Sequence, residues 1–74
     1  MPLKPLPNRE VKRHLEAAGF VEVGQEGSRA KFKKVTNLGT YTAIVPKKKK
    51  DIPIGTIRSI ISQAGITPEE WDNL

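Results

Sequence analysis

A chain of 74 residues has room for one small domain, and a domain of this size buries only about 60% of its unfolded surface. Hydrophobic residues at 36% and charged residues at 28% fit a folded soluble chain rather than a disordered one. The absence of cysteine excludes disulfides and thiolate metal sites, so packing alone must stabilise the fold.

The net charge of +5 is unevenly spread. Arg29, Lys31, Lys33, Lys34 and Lys47 through Lys50 put eight basic residues in a segment without Asp or Glu, and the rest of the chain is mildly acidic. Such segregation points to a phosphate-rich partner. A solvated face that only maintains solubility is the plain alternative. No apolar run approaches the roughly 20 residues that cross a bilayer. The opening Met-Pro-Leu-Lys-Pro-Leu-Pro lacks the apolar core of a signal peptide, so a cytoplasmic location is expected.

In chain order, residues 1–7 carry three prolines and are expected to form an extended, largely irregular lead-in to a single domain over 8–74. Asn8 is suited to cap a helix over Arg9–Ala18 that Gly19 closes. Val11, His14, Leu15 and Ala18 make its inner stripe. Phe20–Gly24 reads as a strand, with Val21 and Val23 on one side and Phe20 and Glu22 on the other. A turn over Gln25–Ser28 leads to a second strand, Ala30–Thr36, in which Ala30, Phe32 and Lys34 alternate with Lys31, Lys33 and Val35. Asn37-Leu38-Gly39 connects to a third strand, Thr40–Val45, ended by Pro46.

Lys47–Ile54 reads as a loop, because four consecutive lysines repel one another. A second helix is expected from Gly55 or Thr56 to Ala64, closed by Gly65, with Ile57, Ile60, Ile61 and Ala64 inward. Thr67-Pro68-Glu69-Glu70 has the pattern of a capping box and starts a last helical turn bearing Trp71. The pattern is α+β, in the order α-β-β-β-α. It predicts a three-stranded antiparallel sheet with both helices on one face and Lys31 and Lys33 on the open one.

Four stretches also resemble a known family: Leu-Glu-Ala-Ala-Gly-Phe (15–20), Gly-Ser-Arg-Ala-Lys-Phe (27–32), Ile-Val-Pro (44–46) and Gly-Thr-Ile-Arg-Ser-Ile-Ile-Ser-Gln-Ala-Gly-Ile (55–66). Together they are similar to HicA-type mRNA interferases, the toxin half of HicA/HicB toxin–antitoxin pairs, over roughly residues 8–66. The resemblance implies a double-stranded-RNA-binding-domain-like fold and an mRNA substrate cut without a metal or other cofactor. It also implies a HicB-type antitoxin as the protein partner covering the active face. At the position after Gly-Ser the family typically carries its catalytic histidine, and here that position holds Arg29. Many members carry another histidine soon after the Val-Pro that ends the third strand. Here that loop is lysine, around Lys48, and the sole histidine is His14.

Metal-free RNA cleavage needs a base for the 2′-OH proton, an acid for the leaving oxygen and cations on the phosphate oxygens. Histidine suits the first two tasks. Arginine stays protonated and can only hold phosphate, which its bidentate fork does well. Arg29 therefore predicts a chain that grips RNA and cuts it poorly or not at all. Ser28, Arg29, Lys31, Lys33, Lys34 and the lysines at 47, 48, 49 and 50 are the expected RNA contacts. Three accounts of Arg29 stay open: a substitution made to allow production of a toxic chain, natural loss of cutting with binding kept, or chemistry placed elsewhere. A non-catalytic RNA-binding module on the same fold is the alternative function. His14 lies on an inward stripe and Trp71 on a terminal turn, and packing is the expected task of both.

Overall fold

The computed structural model describes residues 3–47 and 51–74, in the order β1 (Leu6–Pro7), α1 (Asn8–Ala17), β2 (Val21–Glu26), β3 (Arg29–Thr36), β4 (Gly39–Pro46), β5 (Asp51–Ile52), α2 (Ile54–Ala64) and α3 (Pro68–Asp72). The main sheet is an antiparallel meander, β2-β3-β4. β3 and β4 pair over their whole length, from Arg29 opposite Pro46 to Thr36 opposite Gly39. This is the double-stranded-RNA-binding-domain-like arrangement that the α-β-β-β-α pattern and the resemblance led us to expect.

The helix stripes locate the core. Val11 and Leu15 from α1, and Ile57, Ile60, Ile61 and Ala64 from α2, are buried against Ala30 and Phe32 of β3 and Ala43 and Val45 of β4. In the register, Ala30 faces Val45 and Phe32 faces Ala43, so these four residues share one sheet face. Both helices cover that face, and Trp71 of α3 completes the core.

Several boundaries differ from those read off the sequence. α1 begins at Asn8, with Pro7 as its cap residue and no side-chain cap. Asn8 Nδ2 instead donates to Lys47 O at 2.7 Å and Pro46 O at 3.4 Å, tying the start of α1 to the end of β4. The lead-in is not wholly irregular: Leu6 pairs with Ile52 and Pro7 with Asp51, forming a short ladder inside what read as a loop. β2 starts one residue late, at Val21, and runs on to Glu26. An irregularity between Glu22 and Gly24 breaks its alternation at Val23. The turn between β2 and β3 is thereby reduced to Gly27-Ser28, with Gly27 at φ 60. Pro53 caps α2, whose first residue is Ile54. The capping box is present: Thr67 Oγ1 accepts from Glu70 N, and Thr67 N donates to Glu70 Oε1, both at 3.1 Å. Lys48, Lys49 and Lys50 lie outside the described residues.

Candidate nucleic-acid interface

The alternation of β3 sorts the basic residues. Arg29, Lys31 and Lys33 fall on the face away from the buried Ala30 and Phe32. Their cross-strand neighbours complete an open surface: Glu26 and Pro46 beside Arg29, Gly24 and Ile44 beside Lys31, Val21 and Thr42 beside Lys33. Only Glu26 brings a negative charge among these six.

Lys34 lies on the opposite side. Its Nζ donates to Ala18 O at 2.7 Å, at the C-terminal end of α1, where a cation complements the helix dipole and an otherwise open carbonyl. Lys34 thus joins sheet to helix and does not extend the row of Arg29, Lys31 and Lys33.

Lys47 is the anchored root of the lysine run. Its N–H donates to Ser28 O at 2.7 Å, its carbonyl accepts from Asn8, and its Nζ lies 3.4 Å from Glu22 Oε2. Glu22 also meets Lys12 at 3.5 Å. The bond from Lys47 to Ser28 holds the Gly27-Ser28 turn against the end of β4. The fixed backbone at that turn presents Arg29 at the mouth of a cleft.

That cleft, about 780 Å3, lies between the hairpin and α2. Ser28, Arg29, Ile44 and Pro46 line it from the hairpin, and Gly55, Thr56, Ser59 and Gln63 line the α2 side. Gln63 Oε1 accepts from Ile44 N at 3.1 Å. β4 is an edge strand, so this bond satisfies one of its outward N–H groups and fixes α2 beside it. The sequence reading missed the α2 wall. Its signal was present: Thr56, Ser59 and Gln63 are spaced i, i+3, i+7, on a stripe separate from the buried isoleucines.

His14 is elsewhere. It is 9% exposed, stacks on Trp71 with ring centroids 4.6 Å apart, and places Nδ1 2.7 Å from Glu10 O. A carbonyl only accepts, so Nδ1 carries the proton in that bond. His14 and Trp71 line a different cavity, and that cavity shares no lining residue with the one at Arg29. Trp71 is 2% exposed and packs back on its own domain, as expected from a terminal turn. Beside this pair, the Arg13 side chain donates to Glu10 Oε2 at 2.8 Å and holds the Glu10 carboxyl below its ordinary range. Among the described residues, no three His, Cys, Asp or Glu side chains gather to hold a metal ion. No described helix is long and apolar enough to cross a membrane.

Fold and surface define a class: a small α+β domain with a row of cations on its open sheet face and a cleft at the end of that row. The family model described as the HicA toxin of bacterial toxin-antitoxin matches residues 9–66, from α1 through α2. The chain belongs to the HicA toxin family. It is accordingly the toxin type of a toxin–antitoxin pair, in which HicA toxins are matched by HicB antitoxins. No curated protein matches the chain.

Proposed function

We propose that this protein is an mRNA-directed endoribonuclease toxin whose RNA site is the Arg29 cleft with the adjoining sheet face, and that it binds RNA while cutting it poorly or not at all. The observation that carries this reading is the placement of Arg29. It stands on the same face as Lys31 and Lys33 and also lines the cleft with Ser28. Cations in a row meet successive phosphates, and the residue at the cleft mouth meets the phosphate that enters it.

Cleavage would proceed by attack of a ribose 2′-oxygen on the adjacent phosphorus, with departure of the 5′-oxygen. A base must take the 2′-OH proton and an acid must supply one to the leaving oxygen. The guanidinium of Arg29 can hold the two non-bridging oxygens but cannot take a proton. The buried and stacked His14 is directed into packing and not into this cleft. Blocking the toxin would then require an antitoxin of HicB type that covers the basic face, which calls for acidic groups on the partner.

The test is cleavage of mixed-sequence RNA, without added metal, by the protein and by Arg29→His. We expect the His form to cut faster by about 10²–10⁴, the usual contribution of a positioned acid–base group. Equal cutting by both forms would remove position 29 from the chemistry. Salt-dependent RNA binding with no cutting by either form would favour a non-catalytic RNA-binding module on the same fold.

A further inference from the structure

The cleft beside Arg29 is larger than a phosphate needs and is not lined by polar groups alone. Among the described residues, its lining includes one cation, Arg29, and no carboxylate. Its floor is apolar, from Ile44, Pro46, Pro53 and Ile60. Hydroxyls of Ser28, Thr56 and Ser59 lie around that floor. The volume of about 780 Å3 falls within the range of small-molecule sites, about 300–1,000 Å3. A row of phosphates alone would leave the apolar floor unused.

Gln63 adds a directed polar group. Ile44 N–H can only donate, so the oxygen of the carboxamide must face it. The amino group is therefore turned away from β4, and among the described residues none accepts from it. A donor oriented by that bond, in a cleft with apolar lining, suits a flat heterocycle with acceptors on its edge.

We infer that the cleft between β4 and α2 is a base-binding subsite, taking one unpaired RNA nucleotide with its phosphate at Arg29, its base on Ile44 and Pro46, and its edge at the Gln63 amino group. The inference rests on the RNA reading above and narrows it to single-stranded or locally opened RNA. In a duplex the base edges are engaged in pairing, and A-form geometry offers no base to such a cleft. The subsite would also give the toxin a preferred cutting position, since the phosphate beside the held base is the one placed at position 29.

Two short oligomers of equal length and charge test this: an oligouridylate and an abasic ribose-phosphate oligomer. The protein should bind the base-bearing oligomer about tenfold more tightly, within the range a base held on a protein platform contributes. In Gln63→Glu the carboxylate still accepts from Ile44 N, so α2 stays in place, but the donor is gone. The ratio of the two affinities should fall towards one, and a ratio cancels the added charge. Ile44→Thr keeps a strand-compatible β-branched side chain, thins the floor and should lower the same ratio. Circular dichroism of each variant checks that the fold is kept. Equal, salt-dependent binding of both oligomers by the unchanged protein would overturn the subsite and leave the RNA reading standing. So would an RNA duplex competing as well as its single strand. Binding of neither oligomer would overturn both.

Discussion

The two residues most suited to RNA chemistry by type, His14 and Arg29, occupy regions built on opposite terms. His14 is enclosed: its ring is stacked on Trp71, its Nδ1 is used by the Glu10 carbonyl, and the residue is nearly shut off from solvent. Arg29 is exposed and lines the cleft beside α2, next to a turn tied to the end of β4 by the Lys47–Ser28 bond. The imidazole, the residue type that suits acid–base work, is thus enclosed, and the guanidinium, the type that suits holding phosphate, is open to solvent. A residue's chemistry counts only where the fold presents it.

Moving an imidazole into the open region is the strongest way to sharpen this contrast. In an Arg29→His background that cuts RNA, a further His14→Phe change should preserve an aromatic stack and leave the rate nearly unchanged. A drop approaching the about 10²–10⁴ of a lost acid–base group would show that His14 takes part after all.

The enclosed region should break first under truncation. Trp71→Ala removes the largest fully buried side chain and the partner of the His14 ring. Loss of a buried Trp typically costs about 3–5 kcal/mol. A small domain has about 5–15 kcal/mol in total, so the variant should unfold at much lower urea. Salt-dependent RNA binding should persist at low temperature wherever the variant remains folded. A Trp71→Ala protein with an unchanged urea midpoint but weakened RNA binding would reverse the assignment and make the Trp an RNA contact.

The lysines of β3 carry the same contrast within one strand. Lys31→Ala and Lys33→Ala should each lower the slope of log affinity against log salt by about 1, with little effect on stability. Lys34→Ala should leave the slope nearly unchanged. It should destabilise the fold by about 1–2 kcal/mol, because the Ala18 carbonyl loses a charged donor. Salt titration by fluorescence anisotropy and urea melts separate the two effects. A Lys34 variant with a reduced slope and normal stability would place it with the RNA contacts.

What could be read from the sequence, and what could not, divides along the same line. Periodicity exposed the helix stripes, the hairpins and the Thr67–Glu70 capping box, because each is settled by residues a few positions apart. It also placed Lys34 with Ala30 and Phe32, although not its bond to Ala18. Asn8 reads as a cap because Asn caps helices, yet its amide is drawn to carbonyls 38 and 39 residues away. The pairing of Leu6 with Ile52 is a two-residue ladder, too short to leave a period-2 signature. The cleft escaped for the same reason: Arg29 and Gln63 share a site only because α2 lies beside β4. Arg29, by contrast, stands out in the sequence because the resemblance to HicA-type toxins puts the family's histidine at that position.

The smallest effect belongs to the margin of the enclosed region. Glu10 is held below its ordinary carboxyl range chiefly by the hydrogen bond from Arg13. A depressed folded value means that the unfolded chain binds the proton first as pH falls. The stabilisation is therefore fully present above the ordinary carboxylate range, and it is lost as pH falls through the folded value. The Arg13 side chain is exposed and that of Glu10 partly so, and solvent screening keeps the contribution slight. Arg13→Ala should return the Glu10 titration, followed by NMR, towards its ordinary value. It should also flatten the acid limb of the stability curve. The Arg29 region should be untouched: RNA affinity near neutral pH should match the parent apart from the loss of one surface charge. A large fall in RNA affinity would instead extend the binding face around to α1 and erase the boundary between the two regions.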